Sequence, residues 1–303
     1  MSMTTRALRE RAERLQAERI PFVHARVVLA ERPTSAKPGD EAIVLPDGTI
    51  EGFVGGQCAL ATLRAQGLAV LQRRESTLLR IAPSPEPEQA GKTVVHNPCQ
   101  SGGTLEIFME PVLPAPLVRI LGTTPIGVAL ADVGGALGYD MQPWDGGCCG
   151  APDLATTDAV VVASHGNGEE AVLEAAVRSG VPYVGLVASR KRGAAVLQSL
   201  DLTDEEKARV RTPAGLDIGA RTAEEVALSI LAEIVVTRTA EPRSSAGSAV
   251  ETAIDPVCHM DVAMVAGSLS AEIGGTTWWF CCPGCRDRFV ADPSAFDAAA
   301  SFT

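Results

Sequence analysis

The segment Leu117–Asp140, "LVRILGTTPIGVALADVGGALGYD", decides the fold class of this chain of 303 residues. Its opening, "LVRIL", is typical of a strand buried on both faces, and a glycine loop and an apolar helix follow it. Two more such strands, "DAVVVAS" and "PYVGLVAS", come later in the chain. The helices that alternate with the strands are predicted at about residues 126–137, 168–179, 192–200 and 222–237. This pattern predicts an α/β fold with a doubly wound, Rossmann-like parallel sheet over residues 116–237.

The residues before this segment predict an α+β domain over residues 1–115. A short amphipathic helix at residues 6–20 precedes two strand-like runs, "FVHARVVLAE" and "EAIVLP", and the Asp-Gly pair in "PDGT" predicts a turn into "IEGFV". A helix from about Gln57 to Gln72 and a strand, "TLEIFMEP", complete the predicted domain.

The residues after the parallel-sheet domain predict a linker and a small module. Residues 238–253, "RTAEPRSSAGSAVETA", are small, polar and without periodicity, which indicates a flexible linker. Its 16 residues would span roughly 20–24 Å, enough to swing a module toward the first domain. Residues 254–303 are too few for a large core, and modules of this size commonly depend on a metal or another staple.

The cysteines of this module have a spacing typical of metal ligands. Cys258, Cys281 and Cys285 follow the pattern C-x22-C-x3-C. The run "EIGGTTWWFCC" predicts a hairpin that ends at Cys281, and residues four apart at a helix entry face one side, so Cys281 and Cys285 can point at a common centre. Cys282 follows Cys281 and His259 follows Cys258, and either could complete a tetrahedral site. Several thiolates together suit Zn(II) or Cu(I), so the module is predicted to bind one of these metals.

Composition and charge restrict the classes of function. The hydrophobic fraction of 46% excludes disorder over the whole length, and the net charge of −11 disfavours nucleic acid and anionic membranes as partners. The N-terminus lacks the apolar core of a secretory signal, and charges, Pro and Gly interrupt the most apolar stretch, Leu113–Tyr139, so neither export nor a membrane span is predicted. In the cytoplasm expected from this, the 8 cysteines favour metal binding or catalysis over disulfides.

Two loops of the first domain, "GFVGGQCA" and "NPCQSGGTLEIF", each place a glycine pair and a cysteine beside a strand end. The backbone N–H groups of a glycine pair can approach an anion or a flat ligand closely, and a thiol beside them can be activated. The alternative is two ordinary turns with buried cysteines, which behave as small hydrophobic residues. The candidate cofactor-binding residues are Gly55, Gly56, Cys58, Cys99, Gly102 and Gly103.

The parallel-sheet domain has the outline of a dinucleotide-binding loop, with Gly122 after the first strand and Asp145 beyond the second. Thr124 replaces the middle glycine, which disfavours nicotinamide binding, whereas the helix N-terminus can still bind the phosphate of a nucleotide. His165 and the basic run Arg190–Arg192 follow other strands of the sheet, where a phosphate-bearing ligand could bind. The alternative for His165 is a polar residue satisfied within the fold, and the alternative for the basic run is a solvated surface. The candidates are Gly122, Thr124, Gly127, Asp145, His165, Arg190, Lys191 and Arg192.

Four segments within about residues 22–237 resemble the XdhC/CoxI family: "GFVGGQC", "CQSGGTLEIFMEP", "YVGLVASRKRGAAVL" and "GLDIGARTAEEVALSILAEIV". The resemblance implies a maturation factor, a chaperone more than an enzyme, that binds molybdenum cofactor transiently and assists its sulfuration or insertion. The implied client is a molybdenum hydroxylase of the xanthine dehydrogenase or carbon monoxide dehydrogenase type. A cysteine desulfurase or other sulfur donor and a second copy of the chain are further expected partners. Cys58 and Cys99 match the family's cysteines and are the implied cofactor contacts.

Residues 255–296 resemble the YHS domain in "DPVCHM", "WWFCC", "PGC", "RF" and "DPSAF". His259 stands where that family often has glycine, and Cys282 is an additional thiol. Some clients resembling carbon monoxide dehydrogenase need copper beside the molybdenum, so the module is expected to handle copper or another soft metal. The alternative is a structural Zn(II) that only folds the module. Two other classes stay open: a nicotinamide-dependent oxidoreductase that uses the parallel-sheet domain, and a thiolate metal sensor or metallochaperone that uses the C-terminal module.

Overall fold

The computed structural model of the chain describes residues 4–98, 103–144, 154–164, 166, 168–240 and 251–296. The chain divides into two compact units, one formed by Met1–Pro114 together with Ala246–Thr303 and the other by Ala115–Ser245. Within the described ranges, every helix is too short or too polar to cross a lipid bilayer.

The first domain is built on a mixed sheet of six strands with two helices. Its strands are β1 Phe22–Ala30, β2 Glu41–Val44, β3 Ile50–Gly52, β4 Thr77–Ala82, β5 Lys92–His96 and β6 Leu105–Val112. Its helices are α1 Thr5–Ala17 and α2 Gln57–Arg73. In the order β3-β2-β1-β6-β4-β5, β4 and β5 pair in parallel and the other neighbours pair antiparallel. Buried residues alternate along β1 and β6, as in a sheet with one covered face, and pack against α2.

The second unit is a five-stranded parallel sheet with helices, as the sequence predicts. Its strands are β7 Leu117–Leu121, β8 Asp140–Trp144, β9 Ala159–Val162, β10 Tyr183–Leu186 and β11 Val210–Arg211. Its helices are α3 Pro125–Ala136, α4 Glu169–Arg178, α5 Arg190–Ser199, α6 Asp204–Lys207 and α7 Ala223–Ala240. The order β11-β10-β9-β7-β8, parallel throughout, confirms the doubly wound fold class. The order changes direction between β7 and β9, which is where open α/β sheets bind ligands.

The last helix of this unit extends further than the sequence predicts. α7 continues to Ala240, so residues 238–240, predicted as the start of the linker, are helical. Arg238 stabilises this turn, because its guanidinium donates a hydrogen bond to the Tyr139 hydroxyl at 3.2 Å and lies 5.6 Å from the centroid of the Tyr139 ring. At the other end of α7, Thr222 and Glu225 exchange the two hydrogen bonds of the predicted capping box.

The C-terminal module consists of two antiparallel strand pairs and a helix. Its elements are β12 Thr252–Ile254, β13 Asp261–Ala263, β14 Leu269–Ile273, β15 Thr276–Phe280 and α8 Pro283–Ala291, followed by a 3-10 turn at Pro293–Ala295. β12 begins at Thr252, inside the predicted linker, because it pairs with β13. The predicted turn at Gly274 and Gly275 joins β14 to β15, with φ of 61° and 80°. The module's core is aromatic: the Phe289 ring lies 4.9 to 5.9 Å from the rings of Trp278, Phe280 and Phe296.

The module packs directly on helix α2 of the first domain. Met260 and Val262 are buried against Ala61 at one end of the contact, and Ala263 is buried against Ala65 and Leu68 at the other. The helix is therefore covered on two sides, since other residues of α2, among them Leu63 and Val70, face the sheet. This shared core differs from the swinging module that the sequence predicts.

Candidate functional site

Five cysteines from two distant parts of the chain meet where the module packs on α2. We call them the thiol cluster: Cys58, Cys258, Cys281, Cys282 and Cys285. All five are reduced, Cys281 buried and the others half-buried. Cys58 comes from the second residue of α2, whereas the other four come from the turn before β13 and from the junction of β15 with α8.

The distances within the module suit a metal ion held by three thiolates. The Cys281 sulfur lies 3.5 Å from the Cys258 sulfur and 3.7 Å from the Cys285 sulfur. Thiolates that bind one ion at about 2.3 Å lie roughly 4 Å apart, so these three sulfurs need little movement to become ligands. Asp255 offers a carboxylate oxygen within 4.8 Å of all three.

Asp255 holds the two cysteine-bearing segments together. Its carboxylate is fully buried, and one oxygen accepts hydrogen bonds from the backbone N–H groups of Val257 (2.9 Å) and Cys258 (3.4 Å). The other oxygen accepts from the N–H of Cys281 at 2.8 Å. One side chain therefore fixes the start of both segments. The spacing of the cysteines does not predict this role, although Asp255 is the first residue of "DPVCHM".

The thiols of the cluster also set one another's charge. The hydrogen bond with Cys281 lowers the pKa of the Cys258 thiol, and the same contact, together with Cys58 and burial, raises the pKa of the Cys281 thiol. Burial, followed by the charge of Asp255, raises the pKa of the Cys285 thiol. Negative charge is therefore favoured at Cys258, and a bound cation would be required to hold the other two as thiolates.

Cys58, which the family resemblance implies as a cofactor contact, also belongs to this cluster. Its sulfur lies within 4.8 Å of those of Cys281 and Cys282, and these three atoms form a second group of potential metal ligands that shares Cys281 with the first. Cys282 is the N-cap of α8, so two helix N-termini bring thiols to this group.

Cys58 borders a small cavity on the side of the first domain. The cavity has a volume of about 70 Å³, and Gly56, Asn97 and Gly103 contribute to its wall. Gly56 is the N-cap of α2 and brings no side chain to cap the first turn, whose N–H groups can therefore bind an anion. Gly103 allows a close approach of two loops, because a Cβ there would clash with the Pro33 carbonyl oxygen. Cys99 and Gly102, predicted in the neighbouring loop, lie outside the described residues.

The other predicted module ligand, His259, lies elsewhere. Its side chain is exposed, and its backbone has φ of 60°. The His259 N–H donates a hydrogen bond to the Asp255 carbonyl oxygen at 2.8 Å, which closes a turn. Among the described His, Cys, Asp and Glu side chains, neither ligand group includes it.

In the parallel-sheet unit, two predicted residues of the loop after β7, Gly122 and Thr124, have structural roles within the fold. The Thr124 hydroxyl accepts a hydrogen bond from the Gly127 N–H at 3.2 Å and so caps α3. Gly122 has φ of 102°, and a Cβ there would clash with the Ala163 carbonyl oxygen. A glycine is therefore required by the packing of two strand ends, independent of any ligand. Asp145 and His165 lie outside the described residues.

The basic run at the start of α5 is divided between an ion pair and a cavity. Arg192 donates a short hydrogen bond to Glu169, whose carboxylate is buried and also accepts from the Gly166 N–H at 2.7 Å and the Ser164 hydroxyl at 3.0 Å. Burial opposes the charge of Glu169, but these bonds outweigh it and lower the pKa of its carboxyl. Glu169 is not among the residues predicted from sequence, although two acidic residues follow His165 after only three positions.

Arg190 and Arg192 line a cavity of about 640 Å³ beyond the carboxyl end of β10, whereas the exposed Lys191 is not part of its wall. The loop after β11 and the side of α7 complete this cavity. It is large enough for a nucleotide-sized ligand, and its location at the strand ends is typical of ligand sites in open α/β sheets.

The chain thus combines a sheet domain with a cysteine at a helix N-terminus, a parallel α/β domain and a module whose thiols could hold a metal ion. The XdhC and CoxI family matches residues 15–82, the XdhC Rossmann domain matches residues 118–234, and the YHS domain matches residues 253–299. The chain therefore contains the two domains of the XdhC and CoxI family, followed by a YHS domain.

Three curated relatives are similar over large parts of the chain. The uncharacterised protein YqeB of Escherichia coli K12 is 26% identical over 76% of this chain and 46% of its own length. The molybdenum cofactor insertion chaperone PaoD of the same strain is 29% identical over 67% of this chain and 64% of its own length. A protein of Bacillus subtilis 168 named as a probable xanthine dehydrogenase subunit is 27% identical over 45% of this chain and 47% of its own length. The chain thus spans about half to under two thirds of these relatives.

Proposed function

We propose that this chain is a maturation factor that binds molybdenum cofactor and assists its insertion into a molybdenum hydroxylase. The observation that carries the proposal is the match of both family domains, supported by a similar protein named as a molybdenum cofactor insertion chaperone. The similarity to a probable xanthine dehydrogenase subunit supports a client enzyme of that type. In this proposal the chain works in the cytoplasm and does not itself catalyse the client's reaction.

The region around Cys58 is the best-supported position for the cofactor. The cofactor is anionic and carries sulfur ligands, and the start of α2 offers N–H groups beside a thiol. Gly55, with φ of 142°, and Gly56 keep side chains away from this approach. In this proposal Cys58 and Cys99 contact the cofactor, and a cysteine desulfurase or other sulfur donor is a partner of the chain.

Two finer roles belong to the same proposal. The C-terminal module binds Zn(II) or Cu(I) through Cys258, Cys281 and Cys285, and with Cu(I) it would supply a soft metal to a client that needs one. The cavity beside Arg190 binds a phosphate-bearing ligand, such as a nucleotide. A nicotinamide-dependent oxidoreductase is less well supported, because Thr124 occupies the position where the pyrophosphate needs glycine.

The test is retention of molybdenum cofactor by the full chain with Cys58→Ser, Cys99→Ser or both changes. Pterin fluorescence after release measures the bound cofactor, and Cys148→Ser, a thiol outside the proposed contacts, is the matched control. We expect each single variant to lose most of the cofactor and the double variant to lose nearly all of it. Retention by the double variant equal to that of the control would overturn the proposal.

A further inference from the structure

We propose that the thiol cluster binds two metal ions, and that Cys58 of the first domain is a ligand of the second. The first position lies among Cys258, Cys281 and Cys285, and the second among Cys58, Cys281 and Cys282, with the Cys281 sulfur bridging the two. This inference does not depend on cofactor binding, since the metal alone tests it.

The arrangement of the sulfurs favours two ions over one. Five thiols exceed the four positions around a tetrahedral ion. The ligand atoms also separate into two groups, each with all members within 4.8 Å of one another, and Cys281 is the thiol common to both. Three thiolates around a trigonal ion lie about 4 Å apart, so sulfur shifts of about 1 Å or less would complete either position.

The ligand types favour Cu(I) at the second position. Zn(II) in structural sites takes four ligands, and among the described side chains the second group offers three, all thiols. Asp255 lies within 4.8 Å of every thiol of the first group and does not belong to the second group. Cu(I) is a soft ion that prefers cysteine sulfur, so a site made of three thiols suits it better than it suits Zn(II).

The packing explains how a thiol of the first domain becomes a ligand. Ala61, one turn after Cys58 on α2, packs against Met260 and Val262 of the module, so the docked helix holds Cys58 against Cys281. A metal at the second position would therefore join the module to the first domain and occupy the thiol that borders the cavity.

The experiment is an anaerobic Cu(I) titration of the full reduced chain in competition with bicinchoninate. We expect two tightly bound ions per chain in the wild type and in the control Cys148→Ser, and one ion in Cys58→Ser and in Cys282→Ser. X-ray absorption of the doubly loaded protein should show only sulfur ligands and a short copper–copper vector, and the vector should vanish in Cys58→Ser.

A second measurement does not require any variant to fold. In the wild type, loading with Cu(I) should slow alkylation of Cys58 by about tenfold or more, because a metal-bound thiolate is protected from reaction, while Cys148 in the same molecule is unaffected. One ion per chain in the wild type, an unchanged stoichiometry in Cys58→Ser, a single four-coordinate Zn(II) that Cu(I) does not displace, or unprotected Cys58 would each overturn the proposal.

Discussion

The thiol cluster and the cavity at the carboxyl end of β10 differ in how their polar groups are satisfied. Near the cavity, the strongest candidates already have partners within the fold: Arg192 pairs with buried Glu169, and Thr124 caps α3. In the cluster, the sulfur of Cys281 has two other sulfurs as its close neighbours, at 3.5 and 3.7 Å. Neutral thiols can share S–H···S hydrogen bonds at these distances, whereas thiolates this close together repel one another and are stabilised by a bound cation.

The two regions also differ in how far apart their residues lie in the sequence. The residues of the cavity region fall within one domain, in the segments after β10 and β11 and on the helices α3 and α7. The cluster joins residue 58 to residues 258–285, and all residues of the parallel-sheet unit lie between these two segments in the sequence. Changes at the first region should therefore act locally, whereas changes at the second should affect both the module and its contact with α2.

The largest effect is expected from Asp255→Ala in the module. The change leaves three backbone N–H groups without their acceptor in a buried place, and each such group costs about 1–3 kcal/mol. We expect the module to lose about 3 kcal/mol or more of its free energy of unfolding, together with metal affinity. Denaturant unfolding followed by Trp fluorescence and metal competition would measure both.

The matched control is Asp261→Ala, which removes an exposed carboxylate from the same module. Its free energy of unfolding should change by no more than about 0.5 kcal/mol. Equal effects of the two changes would show that Asp255 does not hold the cysteine-bearing segments.

The next effect concerns the docking of the module on α2. Leu68→Ala removes buried contacts with Ala263 and should lower the free energy of unfolding by about 2–4 kcal/mol. It should also raise hydrogen exchange at the amides of β13. Leu63→Ala, the same change on the side of α2 that faces the sheet, is the control. It should destabilise the first domain by a similar amount without a selective rise in hydrogen exchange at β13. An equal rise in both variants would contradict the assignment of Leu68 to the contact with the module and of Leu63 to the contact with the sheet.

The sequence predicts most of the fold because its patterns are local. The runs "LVRIL", "DAVVVAS" and "PYVGLVAS" contain β7, β9 and β10, and the glycine pair at residues 274–275 forms the predicted turn. The short strands β4, β5 and β11 are not predicted, and the second strand, before Asp145, is predicted without bounds. Pro143 within the observed β8 weakens its strand pattern.

The sequence predicts the ligands of the module but not the position of Cys58 beside them. That contact depends on the packing of α2 against β13, which no local pattern encodes. One feature of the sequence does point to it: "CALATLRAQGLAVL" is apolar around most of the helix, and a helix of that kind is covered on more than one side. This feature predicts that a second part of the chain covers α2, but it does not predict that the C-terminal module is that part.

A smaller effect is expected at the ion pair of the parallel-sheet unit. Arg192→Ala leaves the buried Glu169 carboxylate with two neutral donors, so the free energy of unfolding should fall by about 1–3 kcal/mol at pH 7. Because the folded-state pKa of Glu169 lies below its ordinary value of 4.5, the pair stabilises the fold above that pH. This stability is lost as the pH falls through the lowered pKa.

Denaturant unfolding of the wild type, Arg192→Ala and Glu169→Gln between about pH 7 and pH 3 would test this dependence. The wild type should lose more stability toward acid than either variant. Arg192→Ala removes a cation that lowers the pKa of Glu169, and Glu169→Gln removes the titrating carboxyl itself. Parallel curves for all three proteins would contradict the assigned role of the pair.

The smallest effect is expected at the two exposed basic residues beside the cavity, Arg190 and Lys191. Replacing either by Ala removes one positive charge, but Arg190 lines the cavity and Lys191 does not. An exposed charge contact contributes about 0.2–1 kcal/mol, so Arg190→Ala should weaken the binding of ADP, used as a probe, by up to about fivefold, and Lys191→Ala by less. Calorimetry at two ionic strengths would measure this, and the difference should shrink at high salt, where exposed charges are screened. If both variants bind the probe equally at every salt concentration, the basic run is a solvated surface and the cavity does not use it.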